Sequence, residues 1–194
     1  MSNKKPNNIV CFFCRYKNSA NNLFCSNCDK ILSATTDFFS KFGFPISFEI
    51  DVNDCKKRYL EMQSKVHPDL FIKKSQIEQT IALNCSSFLN DGYHTLKDDY
   101  KRSKYILKLH DIDLDKESHQ YFINQTEFLS EIMDLTEAKA EAIDDLEKTK
   151  INDYIENQKA STLENIKLDF KSGDISKAAI DTIKLSYYHK ASLN

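Results

Sequence analysis

Apolar residues recur every three or four positions through most of the chain after residue 36, which is the spacing of amphipathic helices. We predict a short helix in "FFSKFGF", opened by Thr36-Asp37 and ended by Gly43. Longer helices are predicted over residues 51–66, 76–96, 99–109, 125–148, 151–171 and 173–190. Gly173 suits the end of one of these helices and Asp174 the start of the next. The pattern therefore indicates an all-α chain.

The helix predicted over residues 51–66 has an apolar face and a basic face. The apolar face carries Val52, Cys55, Tyr59, Met62 and Val66, and the opposite face carries Lys57, Arg58 and Lys65. If this helix packs antiparallel to the next one, the loop between them places His67, Pro68 and Asp69 at an exposed tip. An ordinary helix-ending turn is one interpretation of this tripeptide. The alternative is a surface that a partner binds, because the basic stripe attracts an acidic partner and a carboxylate can bind an arginine.

The helix predicted over residues 125–148 has an expected core stripe formed by Phe128, Ile132, Leu135, Ala142 and Leu146. Leu129 and Met133 lie on the flank of that stripe, and three acids continue around the helix from Met133: Asp134, Glu137 and Glu141. An apolar strip bordered by acids outside the core face is typical of a partner-binding surface. Packing of Leu129 and Met133 against a neighbouring helix is the alternative.

Composition narrows the function classes. Gly 3 and Pro 3 leave little turn chemistry for a sheet, and the net charge of -2 argues against a protein that coats nucleic acid or anionic lipid. No stretch approaches the roughly 18 apolar residues of a membrane span. The start "MSNKKPNNIV" shows neither a secretory signal nor a typical organellar presequence. We find no phosphate-binding loop and no nucleophile-base constellation, so no enzyme is expected.

Four cysteines form two Cys-x-x-Cys pairs, Cys11 with Cys14 and Cys25 with Cys28, separated by residues 15–24. Two such pairs at this distance suit tetrahedral Zn²⁺, and the metal would supply the folding energy of a segment too short to bury a core. We predict a structural zinc site, with bound iron or a thiol-redox pair as the alternative. Cys55 and Cys85 fall at apolar positions of predicted helices and are interpreted as core residues.

Four stretches resemble, in order and spacing, the HscB-type J-domain co-chaperones of iron–sulfur cluster biogenesis: "TDFFSKFGF", "YLEMQSKVHPDLF", "FLNDGYHTLKDDYKRSKYIL" and "FLSEIMDLTEAKAEA". The resemblance covers residues 36–190, and the cysteine segment is similar to the N-terminal extension of mitochondrial members. It implies a four-cysteine metal-binding knuckle over 1–35, a J-domain with a helical hairpin over 36–111 and a C-terminal three-helix bundle over 112–194.

The resemblance also implies partners and site residues. His67, Pro68 and Asp69 would stimulate the ATPase of an Hsp70-class (HscA-type) chaperone, which docks on Lys57, Arg58 and Lys65. The bundle would bind an IscU-type scaffold through Leu129, Met133, Asp134, Glu137, Glu141 and Tyr187. Neither nucleic acid nor a membrane is expected as a partner, and a weak homodimer stays open.

Alternatives remain at this point. A general protein-folding clientele would keep the J-domain but make the scaffold face ordinary bundle core, and an iron or redox protein would act through the four cysteines. The mitochondrial matrix or a related organelle is the expected compartment, with the cytoplasm as the alternative. The sequence departs from the family pattern at Leu70, Gly92, Asp99 and Ser130, and none of these departures touches the tripeptide.

Overall fold

A computed structural model describes residues 8–33 and 37–193 of the chain, which divides into two compact units between residues 98 and 99. Thr36, expected to open the first helix, and most of the predicted linker "SATT" lie outside the described residues. The described part is mostly helical, with one two-stranded sheet, which confirms the predicted fold class. None of its helices has the length and apolar character needed to cross a membrane.

The first unit begins with a small antiparallel sheet, β1 (Asn8–Val10) and β2 (Lys17–Ser19), in which Ile9 lies opposite Asn18. Three helices follow: α1 (Phe38–Phe42), α2 (Val52–Val66) and α3 (Gln76–Leu96). A 3-10 turn over Pro68–Phe71 connects α2 with α3. Asp51 caps α2 and Ser75 forms a capping box with Glu78 at the start of α3, so local hydrogen bonds account for the predicted helix limits.

Helices α2 and α3 form an antiparallel hairpin. Tyr59 donates a 2.8 Å hydrogen bond to Asn90, and Gln63, one turn further along α2, donates to the backbone carbonyl of Ser86, one turn earlier on α3. Cys55 and Cys85 are fully buried, as predicted for core residues. Gly92 lies beneath α1, where an added Cβ would come within 2.8 Å of the Phe42 ring. Close packing against α1 therefore favours glycine at position 92, one of the departures from the family pattern.

The second unit contains five helices: α4 (Asp99–Leu109), α5 (Leu114–Phe122), α6 (Thr126–Glu141), α7 (Asp145–Ser172) and α8 (Ile175–Leu193). Helix α8 packs along α7 and also contacts α4, α5 and α6. Leu107, Phe128, Ile155 and Ile183 belong to the buried apolar core of this unit. The predicted junction at Gly173 and Asp174 is confirmed, because Gly173 has φ 80° and Asp174 accepts from the Lys177 N–H.

Three predictions in this unit were wrong. The long helix over residues 125–148 ends at Glu141, because Ala142 adopts an extended ψ of 120° and Asp144 caps α7 by accepting from the Glu147 N–H at 2.7 Å. The helix predicted to begin at residue 151 therefore begins at Asp145. Leu146, assigned to the core stripe, is therefore 65% exposed. Helix α5 was missed; its signal was Asp113, which caps the helix ahead of the buried Leu114.

Contacts group the chain differently from the predicted three parts. The cysteine segment belongs to the same unit as the hairpin, and α4 belongs to the unit that contains α8. Ser103 of α4 shares a 2.8 Å hydrogen bond with Thr182 of α8, and both side chains are buried. The division at residues 35 and 111 stays a prediction about functional parts.

Candidate functional site

The four paired cysteines lie on two turns with the same backbone geometry. The Arg15 N–H donates to the Cys11 carbonyl at 3.0 Å, and the Asp29 N–H donates to the Cys25 carbonyl at 2.9 Å. Arg15 and Asp29, which directly follow the second cysteine of each pair, both adopt positive φ, 63° and 54°. This conformation turns the backbone sharply after each cysteine pair, so that the two thiols of a pair face the same point.

The four predicted metal ligands meet at one place. All four Sγ atoms lie within 4.8 Å of one another, with 3.7 Å between Cys11 and Cys28 and 3.6 Å between Cys14 and Cys25. A tetrahedral ion bound at about 2.3 Å to each sulfur requires a sulfur–sulfur separation of about 3.8 Å. The donor set therefore fits a tetrahedral metal ion that prefers thiolates.

The ionisation of these thiols is consistent with that fit. Burial raises the pKa of Cys25, but backbone N–H groups of Asn27 and Cys28 and the Asn18 amide more than offset it and lower the pKa to about 6. The pKa of Cys28 is lowered by the Lys30 N–H, yet burial and the neighbouring thiols raise it overall to about 12. Four adjacent thiolates repel one another, so a cation is needed to hold all of them deprotonated.

The tripeptide predicted at the hairpin tip is exposed there. Pro68 begins the 3-10 turn, and the side chains of His67 and Asp69 are 53% and 79% exposed. His67 Nδ1 accepts a 3.4 Å hydrogen bond from the Asp69 N–H and lies 3.6 Å from the Asp69 carboxylate. The imidazole and carboxylate thus form one corner whose outer atoms face solvent.

The predicted basic stripe beside this corner divides into two kinds of residue. Lys57 and Lys65 are exposed on α2. Arg58 instead donates to the carbonyls of Phe42 and Gly43 at 2.8 and 2.9 Å, pairs with Asp54 and lies over the Phe44 ring. The expectation that Arg58 faces solvent like the two lysines was therefore too simple, because its guanidinium holds the C-terminal end of α1.

The predicted bundle face on α6 also contains two kinds of residue. Met133 is 63% exposed, and the three acids of the face, Asp134, Glu137 and Glu141, are exposed as well. Leu129 is only partly buried, yet it packs against the core of the unit, as the alternative interpretation expected. Tyr187 of α8 is half-buried with its ring edge-on to Phe128 of α6, so it lies beside this helix.

One contact outside the predicted residues links the cysteine segment to α3. Lys30 lies 3.0 Å from the Glu78 carboxylate, and this hydrogen bond, with a second from Ser75, lowers the pKa of Glu78. Glu78 is not among the residues predicted from the sequence. The only local signal was its position three residues after Ser75, which is typical of a capping box.

Three comparisons with known proteins agree with this arrangement. A family model described as the HSCB C-terminal oligomerisation domain matches residues 124–192. The chain is 32% identical to the iron–sulfur cluster co-chaperone protein HscB of Mus musculus over 180 residues, which are 92% of this chain and 76% of the mouse protein.

Solved structures show the same fold. The crystal structure of human co-chaperone protein HscB matches with a TM-score of 0.84 at 28% identity and covers 95% of this chain and 97% of that one. Chaperone HscB from Vibrio cholerae matches with a TM-score of 0.73 at 26% identity, over 79% of this chain and 92% of the bacterial chain.

Proposed function

The chain belongs to the family of HscB iron–sulfur cluster co-chaperones, and we propose that it brings an IscU-type scaffold to an Hsp70-class chaperone and stimulates that chaperone's ATPase. The chemistry of ATP hydrolysis belongs to the partner, so this chain acts as an activator. Holding scaffold and chaperone on one chain raises the effective concentration of each near the other.

The observation that carries the proposal is the exposed corner of His67, Pro68 and Asp69 at the end of a two-helix hairpin. An exposed carboxylate can form charge-assisted hydrogen bonds with an arginine of the chaperone. Lys57 and Lys65 would steer an acidic docking surface toward this corner. Arg58 would contribute the part of its charge that its contacts with α1 leave exposed, in addition to holding α1 in place.

The bundle face on α6 supports scaffold binding. Met133 gives it an exposed apolar side chain, and Asp134, Glu137 and Glu141 surround it with negative charge. Leu129 and Tyr187 would contribute from the edge of the core. A partly exposed apolar centre with a charged rim is the usual composition of a protein-binding patch.

We propose Zn²⁺ as the ion of the four cysteines, with a structural role. Four thiolates leave no open position for a substrate, which is typical of structural zinc sites. Metal analysis and an absorption spectrum of the purified protein test this choice against the iron alternative, because Zn²⁺ is colourless and iron–thiolate sites absorb visible light. The mitochondrial matrix or a related organelle is the proposed compartment.

A steady-state ATPase assay with the purified chaperone and scaffold tests the main proposal. Wild-type protein should accelerate ATP hydrolysis, and His67→Gln or Asp69→Asn should abolish the acceleration while leaving scaffold binding unchanged. His94→Gln and Asp91→Asn are matched controls, because both side chains are exposed on α3 of the same hairpin. Normal stimulation by the two tip variants would refute the proposal.

A general protein-folding role is the second candidate, favoured by the packing of Leu129 against the core. It predicts that the purified protein stimulates the chaperone without binding the scaffold. Calorimetric titration of the scaffold into the wild-type chain separates the two functions.

A further inference from the structure

An open groove of about 720 Å³ runs between α6 and α7, beside the proposed scaffold face, with which it shares Asp134. Its walls include Leu135 and Ala138 of α6 and Ile151 and Tyr154 of α7. Leu135 and Ile151 each pack against the core with one part of the side chain and line the groove with another, so the groove has an apolar floor. Tyr154 is 43% exposed and forms part of the α7 wall.

The walls are held in place by a shared carboxylate. The hydroxyls of Tyr154 on α7 and Tyr188 on α8 both donate to the same oxygen of Glu131 on α6, each at 3.1 Å. Three helices are thereby joined at the groove, and its shape exists before any partner binds. A preformed site reduces the entropy that binding must overcome.

The edge of the groove on α6 is acidic. This helix has five acidic residues and one lysine, and the lysine, Lys139, donates to the carbonyls of Ala191 and Ser192 near the end of α8. Glu127 and Asp134 are exposed where they line the groove. Lys150 of α7 also lines the groove, but three acids line it as well, Glu127, Glu131 and Asp134, so the net charge of the lining favours a basic partner.

The groove is continuous with the proposed scaffold face. Asp134 belongs to both, and Ser130, one helical turn earlier, also lines the groove. A partner that covers Met133 and Asp134 would reach the groove without leaving the surface of α6. The apolar walls then become the next surface that such a partner covers.

We propose that the α6–α7 groove receives a bulky apolar side chain from a basic segment of the scaffold and so extends the binding surface from α6 onto α7. This inference rests on the proposed function. It adds Ala138, Ile151 and Tyr154 to the contact residues and makes affinity dependent on salt.

Calorimetric titration of purified IscU-type scaffold into the full chain tests the inference. Ala138→Arg places a long cationic side chain in the groove and should weaken binding about tenfold or more, the range expected at the centre of an interface. Ala160→Arg is the matched control, because Ala160 is also an exposed alanine, lies on α7 and does not line the groove. It should leave the affinity within about twofold of wild type.

The outcomes separate this inference from the proposed function. If both arginine variants bind the scaffold with wild-type affinity while Met133→Ala binds more weakly, the groove proposal is refuted and the proposed scaffold face is supported. Failure of wild-type protein to bind the scaffold would overturn both. Thermal unfolding of each variant confirms that it folds.

Glu127→Gln removes one acidic charge from the groove and leaves the apolar wall residues unchanged. It should reduce the salt dependence of scaffold binding, and an unchanged salt dependence would contradict a basic partner.

Discussion

The Lys41 ammonium donates a 2.7 Å hydrogen bond to the backbone carbonyl of Asn22, which links α1 to the segment between the two cysteine pairs. The Lys41 side chain is fully enclosed, with 1% of the residue exposed, and burial lowers its pKa. A buried ammonium needs an acceptor, and the carbonyl of Asn22 is one only while the cysteine segment keeps its fold. The cysteine segment and α1, which packs against α3, are therefore expected to stabilise each other.

A thermodynamic cycle of one substitution and metal removal tests this coupling. Removing the proposed metal ion with a chelator should lower the free energy of unfolding of the wild-type protein, measured by chemical denaturation, and increase amide hydrogen exchange in α3. Lys41→Met removes the ammonium and its need for an acceptor together, so the loss of unfolding free energy on chelation should be smaller in that variant, by about 1–2 kcal/mol. Equal effects in both proteins would show that the two parts are independent.

Glu78 makes the folding stability of the same unit depend on pH in a definite direction. Its hydrogen bonds with Lys30 and Ser75 lower its pKa in the folded state below the ordinary 4.5. The folded state therefore binds this proton less readily than the unfolded chain, and the stabilisation is complete above pH 4.5 and is lost as the pH falls through the folded pKa. An NMR titration of the side-chain carboxyl should show the lowered pKa, and Lys30→Met should move it toward 4.5. An unchanged pKa in that variant would mean that Ser75 supplies the whole shift.

Arg58 and Lys65 should respond differently to removal of their charge. Arg58→Ala deletes the two hydrogen bonds to the end of α1 and the contact with Phe44, so the free energy of unfolding should fall by about 1–3 kcal/mol. Lys65→Ala should leave stability within about 0.5 kcal/mol and act on chaperone docking instead. Chemical denaturation measures the first effect and the concentration needed for half-maximal ATPase stimulation measures the second. A stability loss of the same size in both variants would contradict this division.

Gly92→Ala sets helix propensity against packing. Alanine favours a helix interior over glycine by about 1 kcal/mol, but its Cβ would lie 2.8 Å from the ring of the buried Phe42 and 3.0 Å from that of Phe38. Overpacking of this kind costs about 1–3 kcal/mol, so we expect a net loss of stability of about 1 kcal/mol. Urea denaturation measures the difference. A variant more stable than wild type would show that α1 moves away freely.

Residues close in sequence made much of this structure predictable. The bounds of α2, α3 and α4 follow from apolar spacing and from end signals such as Asp51 and Ser75. The cysteine pairs indicated their common site because two short turns can face each other over ten intervening residues. The sequence also contains a local signal for the break before α7, since Asp144 and Glu147 have the spacing of a capping box. The apolar spacing continues across this break and predicted one uninterrupted helix.

The amino-acid sequence by itself determined the limits of α2, α3 and α4, the four thiols that share one site and the position of His67, Pro68 and Asp69 between two helices. Only the tertiary structure decided that Lys41 is enclosed against Asn22, that Arg58 turns onto α1, and that α6 and α7 enclose a groove. Helix limits and turns depend on hydrogen bonds and side-chain spacing within a few residues, which can be read along the chain. The other features depend on which distant groups share a buried or exposed volume: Lys41 and Asn22 are 19 residues apart, and Glu131 and Tyr188 are 57 apart. Packing of whole helices brings such groups together, and this packing cannot be predicted from the spacing of residues along the chain.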